Sequence, residues 1–122
     1  QNSKIIFSIP NYINPRGLIL LTMKELFNKK ISKSDVYFFK PNEIRNNLKK
    51  IGFKNISIKT IKQNETYGKI AILDLKQRLL KILKKTKKKG IRILLDYFKI
   101  YSDVYNPNEL SGRVFLVIAE KK

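Results

Sequence analysis

Apolar positions along the chain predict three helices, three strands and one segment of undecided type. Residues 4–9 (KIIFSI) form a short apolar run closed by Pro10 and Asn11. This predicts a buried strand, since proline has no N–H with which to extend a central ladder. Residues 12–17 (YINPRG) carry turn chemistry at Asn14 and Pro15. Residues 18–28 are apolar nearly all round, with Leu18, Leu21, Met23 and Phe27 among them. That pattern predicts a helix buried on several sides. Ile44, Leu48 and Ile51 then recur at i, i+4 and i+7, a single helical stripe. Pro41 and Glu43 suit the first turn of that helix, and Gly52 suits its end. Residues 55–61 (NISIKTI) alternate as a strand does. Residues 114–119 (VFLVIA) are six apolar residues in succession, the pattern of a strand covered on both faces.

Between the second and third strands the pattern is longer and more basic. Residues 62–69 are polar and turn-like. Residues 70–89 predict one long helix, with Ile72, Leu75, Leu79 and Ile82 on its apolar face and a lysine bias that grows toward its end, where Gly90 stops it. Residues 91–101 (IRILLDYFKIY) fit a helix or a strand, and periodicity alone does not choose. Residues 102–112 read as a loop. Residues 29–39 mix charges and aromatics without a period. Helix between the first two strands predicts that they run parallel, with a right-handed crossover.

Composition narrows the chemistry. The chain has 122 residues and is 43% hydrophobic, which excludes a disordered tail and gives one domain or part of one. Position 1 is Gln, so a piece of a longer protein is expected. Cysteine and histidine are both absent. Thiolate nucleophiles, disulfides and the commonest general base and metal ligand are therefore excluded. No leader pattern is visible, and the longest apolar stretch, 18–23, is far short of the ~20 residues of a membrane span. A cytoplasmic location is expected. The net charge of +18 fits two readings. One is a polyanionic partner. The other is a coding bias toward Lys, Ile and Asn, because lysine heavily outnumbers the arginine that specific phosphate recognition favours.

Taken in order, Pro10-Asn11, Asn42-Glu43, Gly52-Phe53 and the closing Gly112-Arg113 through Ala119-Glu120-Lys121 resemble the C-terminal half of class I S-adenosylmethionine-dependent methyltransferases. IPNYINPRG (9–17), SKSDVYFFKP (32–41) and ETYGKIAILDLKQRL (65–79) have counterparts in a subgroup of small bacterial methyltransferases. The resemblance covers nearly the whole chain and is weakest over 91–111. It implies an α/β fold, the C-terminal part of a Rossmann-like doubly wound sheet. Three strands are expected, the last antiparallel and inserted between the other two, with flanking helices. Residues 1–122 would form a single partial domain on the acceptor side, and 62–111 an inserted helical or lid region. The family's acidic-x-Gly-x-Gly turn is missing, since all five glycines stand alone. The resemblance therefore implies S-adenosylmethionine as cofactor but places its main binding motif outside this chain.

Ligands of open parallel sheets lie beyond the carboxyl ends of the strands. Pro10, Asn11, Tyr12 and Arg16, with Asp35 and Tyr37 as lid residues, are the candidate acceptor-binding set for a small molecule. Asn14 and Tyr67 are candidate pocket lining. Asp35, Glu65 and Asp74 are the candidate carboxylate bases, although Asp74 and Arg78 also have the i, i+4 spacing of a surface pair. No residue is assigned a catalytic role, and there is no metal-ligand cluster. The alternative function is a non-catalytic basic module that binds nucleic acid or an anionic membrane through Lys81, Lys84, Lys85, Lys87, Lys88 and Lys89. The first strand would lack an outer neighbour, so a second chain or a dimer contact is expected to cover that edge.

Overall fold

The computed structural model describes residues 2–31, 39–83 and 87–121. Their elements are β1 (Ser3–Pro10), α1 (Pro15–Phe27), α2 (Pro41–Lys50), β2 (Phe53–Ile61), α3 (Gly68–Leu83), α4 (Lys88–Val104) and β3 (Val114–Lys121), with a 3-10 turn at Gln63–Glu65. The fold is mixed α/β. The strand order is β1-β3-β2, and both pairs are antiparallel. The two outer strands therefore run parallel to each other with the last strand inserted between them, the strand arrangement expected above.

The sheet buries one face. Ile5, Phe7 and Ile9 of β1 stand opposite Ala119, Val117 and Phe115 of β3. These residues pack with Ile56 and Ile58 of β2 and with Ile44 and Leu48 from the stripe of α2. Only alternate residues of β3 are buried. Leu116 and Ile118 stay half-buried, and Ile6, paired with Ile118, is 62% exposed. Two expectations are corrected here. Neither β1 nor β3 is covered on both faces, because the described residues lay α2 on one side only. β2 also starts earlier than its alternation suggests. Asn55 takes a left-handed conformation at φ 49°, the register to β3 slips between Lys54 and Ser57, and the bulge hides the period of two.

A second core lies among α1, α3 and α4. Leu20, Ala71, Leu75 and Leu79 are fully buried there, with Tyr12, Ile31, Ile91, Leu95 and Phe98 around them. The N-terminus of α3 meets the C-terminus of α4, where the Gly68 N–H donates to Ser102 Oγ at 2.9 Å, so the two helices run antiparallel. This corrects the single helix expected over 70–89. α3 ends at Leu83, and Lys88, Lys89 and Gly90 form the first turn of α4. Gly90 stops nothing. The apolar stripe restarts at Ile91, Leu95 and Phe98, which resolves 91–101 as helix. α1 likewise begins at Pro15, inside the segment read as loop. Asn14 is its N-cap, accepting from the Gly17 N–H at 2.7 Å, and Pro15 occupies the first-turn position where its missing N–H costs nothing.

Candidate functional site

The carboxyl end of β1 opens into a loop whose polar side chains all turn inward. Asn11 is 2% exposed. Its amide nitrogen donates to the carbonyls of Leu110 at 2.8 Å and Gly112 at 2.7 Å, and its oxygen accepts from the Ile13 N–H at 3.0 Å. Its backbone N–H donates to the Arg113 carbonyl at 2.8 Å. Asn14 adds donations to the carbonyls of Asn11 and Gly112. The pair of asparagines thus latches the loop after β1 to the loop before β3, which is how chain segments about 100 residues apart share one sheet end. The latch requires close approach. A Cβ on Gly112 would come within 2.7 Å of Thr60 Cβ, and one on Gly17 within 2.5 Å of the Tyr12 Cα. Neither position has room for a side chain.

Arg16 follows from the first turn of α1 and is 4% exposed. Its Nε donates to Asp74 Oδ2 at 2.5 Å, while Arg78 Nε donates to Asp74 Oδ1 at 3.0 Å. Arg78 Nη1 reaches the Ile31 carbonyl at 3.2 Å. Burial alone would raise the Asp74 carboxyl. The hydrogen bond and charge of Arg16, and then of Arg78, outweigh it and hold the group below the ordinary carboxylate range. Burial likewise lowers Arg16, offset in part by Asp74 and reinforced by repulsion from Arg113 and Arg78. Glu65 pairs with Arg113 at 3.1 Å.

The acceptor residues read from the sequence therefore come together. Pro10, Asn11, Tyr12 and Arg16 sit at one end of the sheet. Their side chains, however, serve the protein itself. Asn11 is spent on backbone carbonyls, Tyr12 belongs to the helical core, and Arg16 is bound to Asp74. Asp35 and Tyr37 lie outside the described residues, as do Lys84 and Lys85 of the basic run, while Lys81, Lys87, Lys88 and Lys89 are exposed. The Asp74–Arg78 pair is present as spaced. Its third member, Arg16, lies 58 residues away and leaves no sequence signal. The N-cap at Asn14 did leave one, the Asn-Pro pair.

Beside this ion pair an open cleft of about 700 Å³ is lined by Lys29, Lys30, Ile31, Gln77, Arg78 and Lys81, among others. Among its described lining residues the cations outnumber the single carboxylate, Asp74, so these residues suit an anionic group over a cationic one. Among the described residues no cluster of three or more acidic side chains is placed to hold a metal ion. None of their helices is long and apolar enough to cross a membrane. Nor do the residues at the end of β1 fit a nucleoside cofactor. The glycines there pack against protein backbone, and among the described residues the nearby carboxylates Glu65 and Asp74 are held by arginines. The chain matched no protein-family model, no curated protein and no solved structure.

Proposed function

We propose that this chain is the acceptor-presenting part of a class I S-adenosylmethionine-dependent methyltransferase with a Rossmann-like sheet. The acceptor is a small or medium molecule, and the cofactor is held by residues outside these 122. The observation that carries the reading is the unfinished sheet. A parallel pair with an antiparallel last strand between them is covered by α2 on one face, while on the other Ile6 is exposed and Leu116 and Ile118 are half-buried. A doubly wound domain covers both faces with helices and continues beyond β1. The edges differ in the same sense. Arg45 Nη1 takes up the Ile56 carbonyl of β2 at 2.8 Å, and the Thr60 N–H donates to Glu109 at 2.9 Å. Among the described residues the outer edge of β1 has no such partner.

In this reading α1, α3 and the Asn11–Asn14 latch form a rigid wall beside the reacting atoms. Rigidity is what methyl transfer asks of the protein, because the sulfonium supplies the chemistry and alignment supplies the rate. The cation-rich cleft at Arg78 and Lys81 would receive an anionic part of the acceptor.

The test is to titrate S-adenosylhomocysteine calorimetrically into the polypeptide encoded by the whole reading frame. The expected result is saturable binding, together with an upstream strand that ends in an acidic-x-Gly-x-Gly turn. A reading frame without that turn, or a full-length polypeptide that gives no heat of binding, overturns the proposal.

A further inference from the structure

α4 carries two apolar stripes, and the core uses only one of them. Ile91, Leu95 and Phe98 face α3 and α1. Ile93, Tyr97, Ile100 and Val104 recur at i, i+4, i+7 and i+11 on a different side, with Leu94 and Tyr101 beside them. All six are exposed, Tyr97 by 69%, Ile100 by 65% and Val104 by 77%. The stripe Arg92, Asp96, Lys99 and Asp103 separates the two apolar sides on one flank. A helix of 17 residues is ~25 Å long, so this exposed face is a continuous apolar ridge rather than scattered single residues.

Across that charged stripe from the ridge runs a groove of about 690 Å³ between α3 and α4. Its walls include Ile72 and Leu80, and among its described lining residues the cations are Lys76, Lys88, Lys89 and Arg92 and the one carboxylate is Asp96. An apolar ridge beside a cation-rimmed, apolar-walled groove matches the layering of a phospholipid, in which acyl chain lies beneath phosphate. Exposed tyrosines on the ridge suit that boundary, since each has an apolar ring and a polar tip.

We propose that α4 docks this protein in the plane of an anionic lipid bilayer. The ridge enters the headgroup–acyl boundary, and Lys76, Lys88, Lys89 and Arg92 meet lipid phosphates. Charge selects this occupant. A second copy of a chain carrying +18 repels the first. A nucleic-acid backbone has nothing to cover six apolar side chains. The inference does not rest on the methyl-transfer reading.

The experiment is vesicle flotation of the full-length polypeptide. Pure phosphatidylcholine is compared with equimolar phosphatidylcholine and phosphatidylglycerol. The variants are the triple substitution Tyr97→Ser, Ile100→Ser, Val104→Ser and, separately, Ile100→Trp. The expected result is binding to the anionic vesicles alone and at least a ~10-fold weaker partition for the triple variant, from the apolar area it no longer buries. Because the three positions are exposed, its melting temperature stays that of the parent. The Ile100→Trp protein, whose parent has no tryptophan, shifts its emission to the blue on anionic vesicles. Equal flotation of parent and triple variant would mean that lysines alone bind the surface, and would overturn the proposal. Emission unchanged by anionic vesicles would do the same, as would capture by an acidic protein with no flotation at all.

Discussion

The two hydrophobic cores of this chain are finished to different degrees. The helical core closes on itself: Leu20 of α1 and Ala71, Leu75 and Leu79 of α3 reach zero exposure, with α4 completing the enclosure. In the sheet core Phe115, Val117 and Ala119 also reach zero exposure, but their neighbours along β3 point to the opposite, open side. A helix has one stripe to bury, whereas a central strand has two faces and two edges to satisfy. The centre of the helical core is thus enclosed by three helices, while the sheet core is enclosed on one face. Hydrogen exchange sharpens the contrast, since opening free energies follow enclosure. Amides of α3 around Leu75 should exchange far more slowly than those of β1.

The largest effect is expected where the helical core meets the end of the sheet. Asp74→Ala removes the shared partner of Arg16 and Arg78. Because Arg16 remains buried with its charge uncompensated, the loss is about 3–5 kcal/mol, read as the shift in a urea midpoint. Acid attacks the same link. The carboxyl of Asp74 is depressed in the folded state, so its contribution is fully present above the unfolded carboxylate pKa of ~4 and is lost as pH falls through the lower folded value. Acid unfolding should accordingly lose its steepest component below about pH 4 in Asp74→Asn. A smaller loss, about 1–3 kcal/mol, is expected for Asn11→Ala, which removes the side-chain donor to the carbonyls of Leu110 and Gly112 and leaves the second with Asn14 alone. Here the contrast can be broken. If Asn11→Ala speeds exchange in α3 as much as in β1, the two cores unfold as one unit.

How far the sequence discloses all this follows the same division. The stripe Ile44, Leu48 and the alternation of 55–61 are local, and they located α2 and β2. The order β1-β3-β2 came with the resemblance; periodicity says nothing about which strands pair. The boundary between α3 and α4 is obscured because lysines on both sides read as one basic run, and Gly90, in a first helical turn, has the pattern of a stop. At the site, Asn11 and Arg16 were picked out by position, at the end of a strand. Their actual partners, Gly112 and Asp74, are 101 and 58 residues away, and a polar residue that will be buried looks the same in sequence as one that will meet a ligand. The open ridge of α4 was hidden by its own hydrophobicity, since a second apolar stripe reads as more core.

The smallest expected effect concerns the two edges of the sheet. β2 is blunted in the ways sheet edges usually are, by the bulge at Asn55, by Lys54 and Lys59, and by the Arg45 contact to Ile56. Along its central residues β1 offers Ile5, Ile6, Phe7 and Ile9, with Lys4 its only charge. Ile6 projects from the open face, so Ile6→Lys removes no core contact and should change unfolding free energy by less than ~0.5 kcal/mol. Its effect should appear in association instead. An apolar strand edge under an uncovered face templates pairing with other chains, and a lysine at its centre opposes that. Light scattering of the 122-residue chain should therefore show slower growth of aggregates for Ile6→Lys than for the parent, while Lys59→Ile on the other edge should accelerate it. Equal aggregation of Ile6→Lys and parent would mean that β1 is not the open side of the sheet, and the contrast between a closed helical core and an unfinished sheet would have to be redrawn.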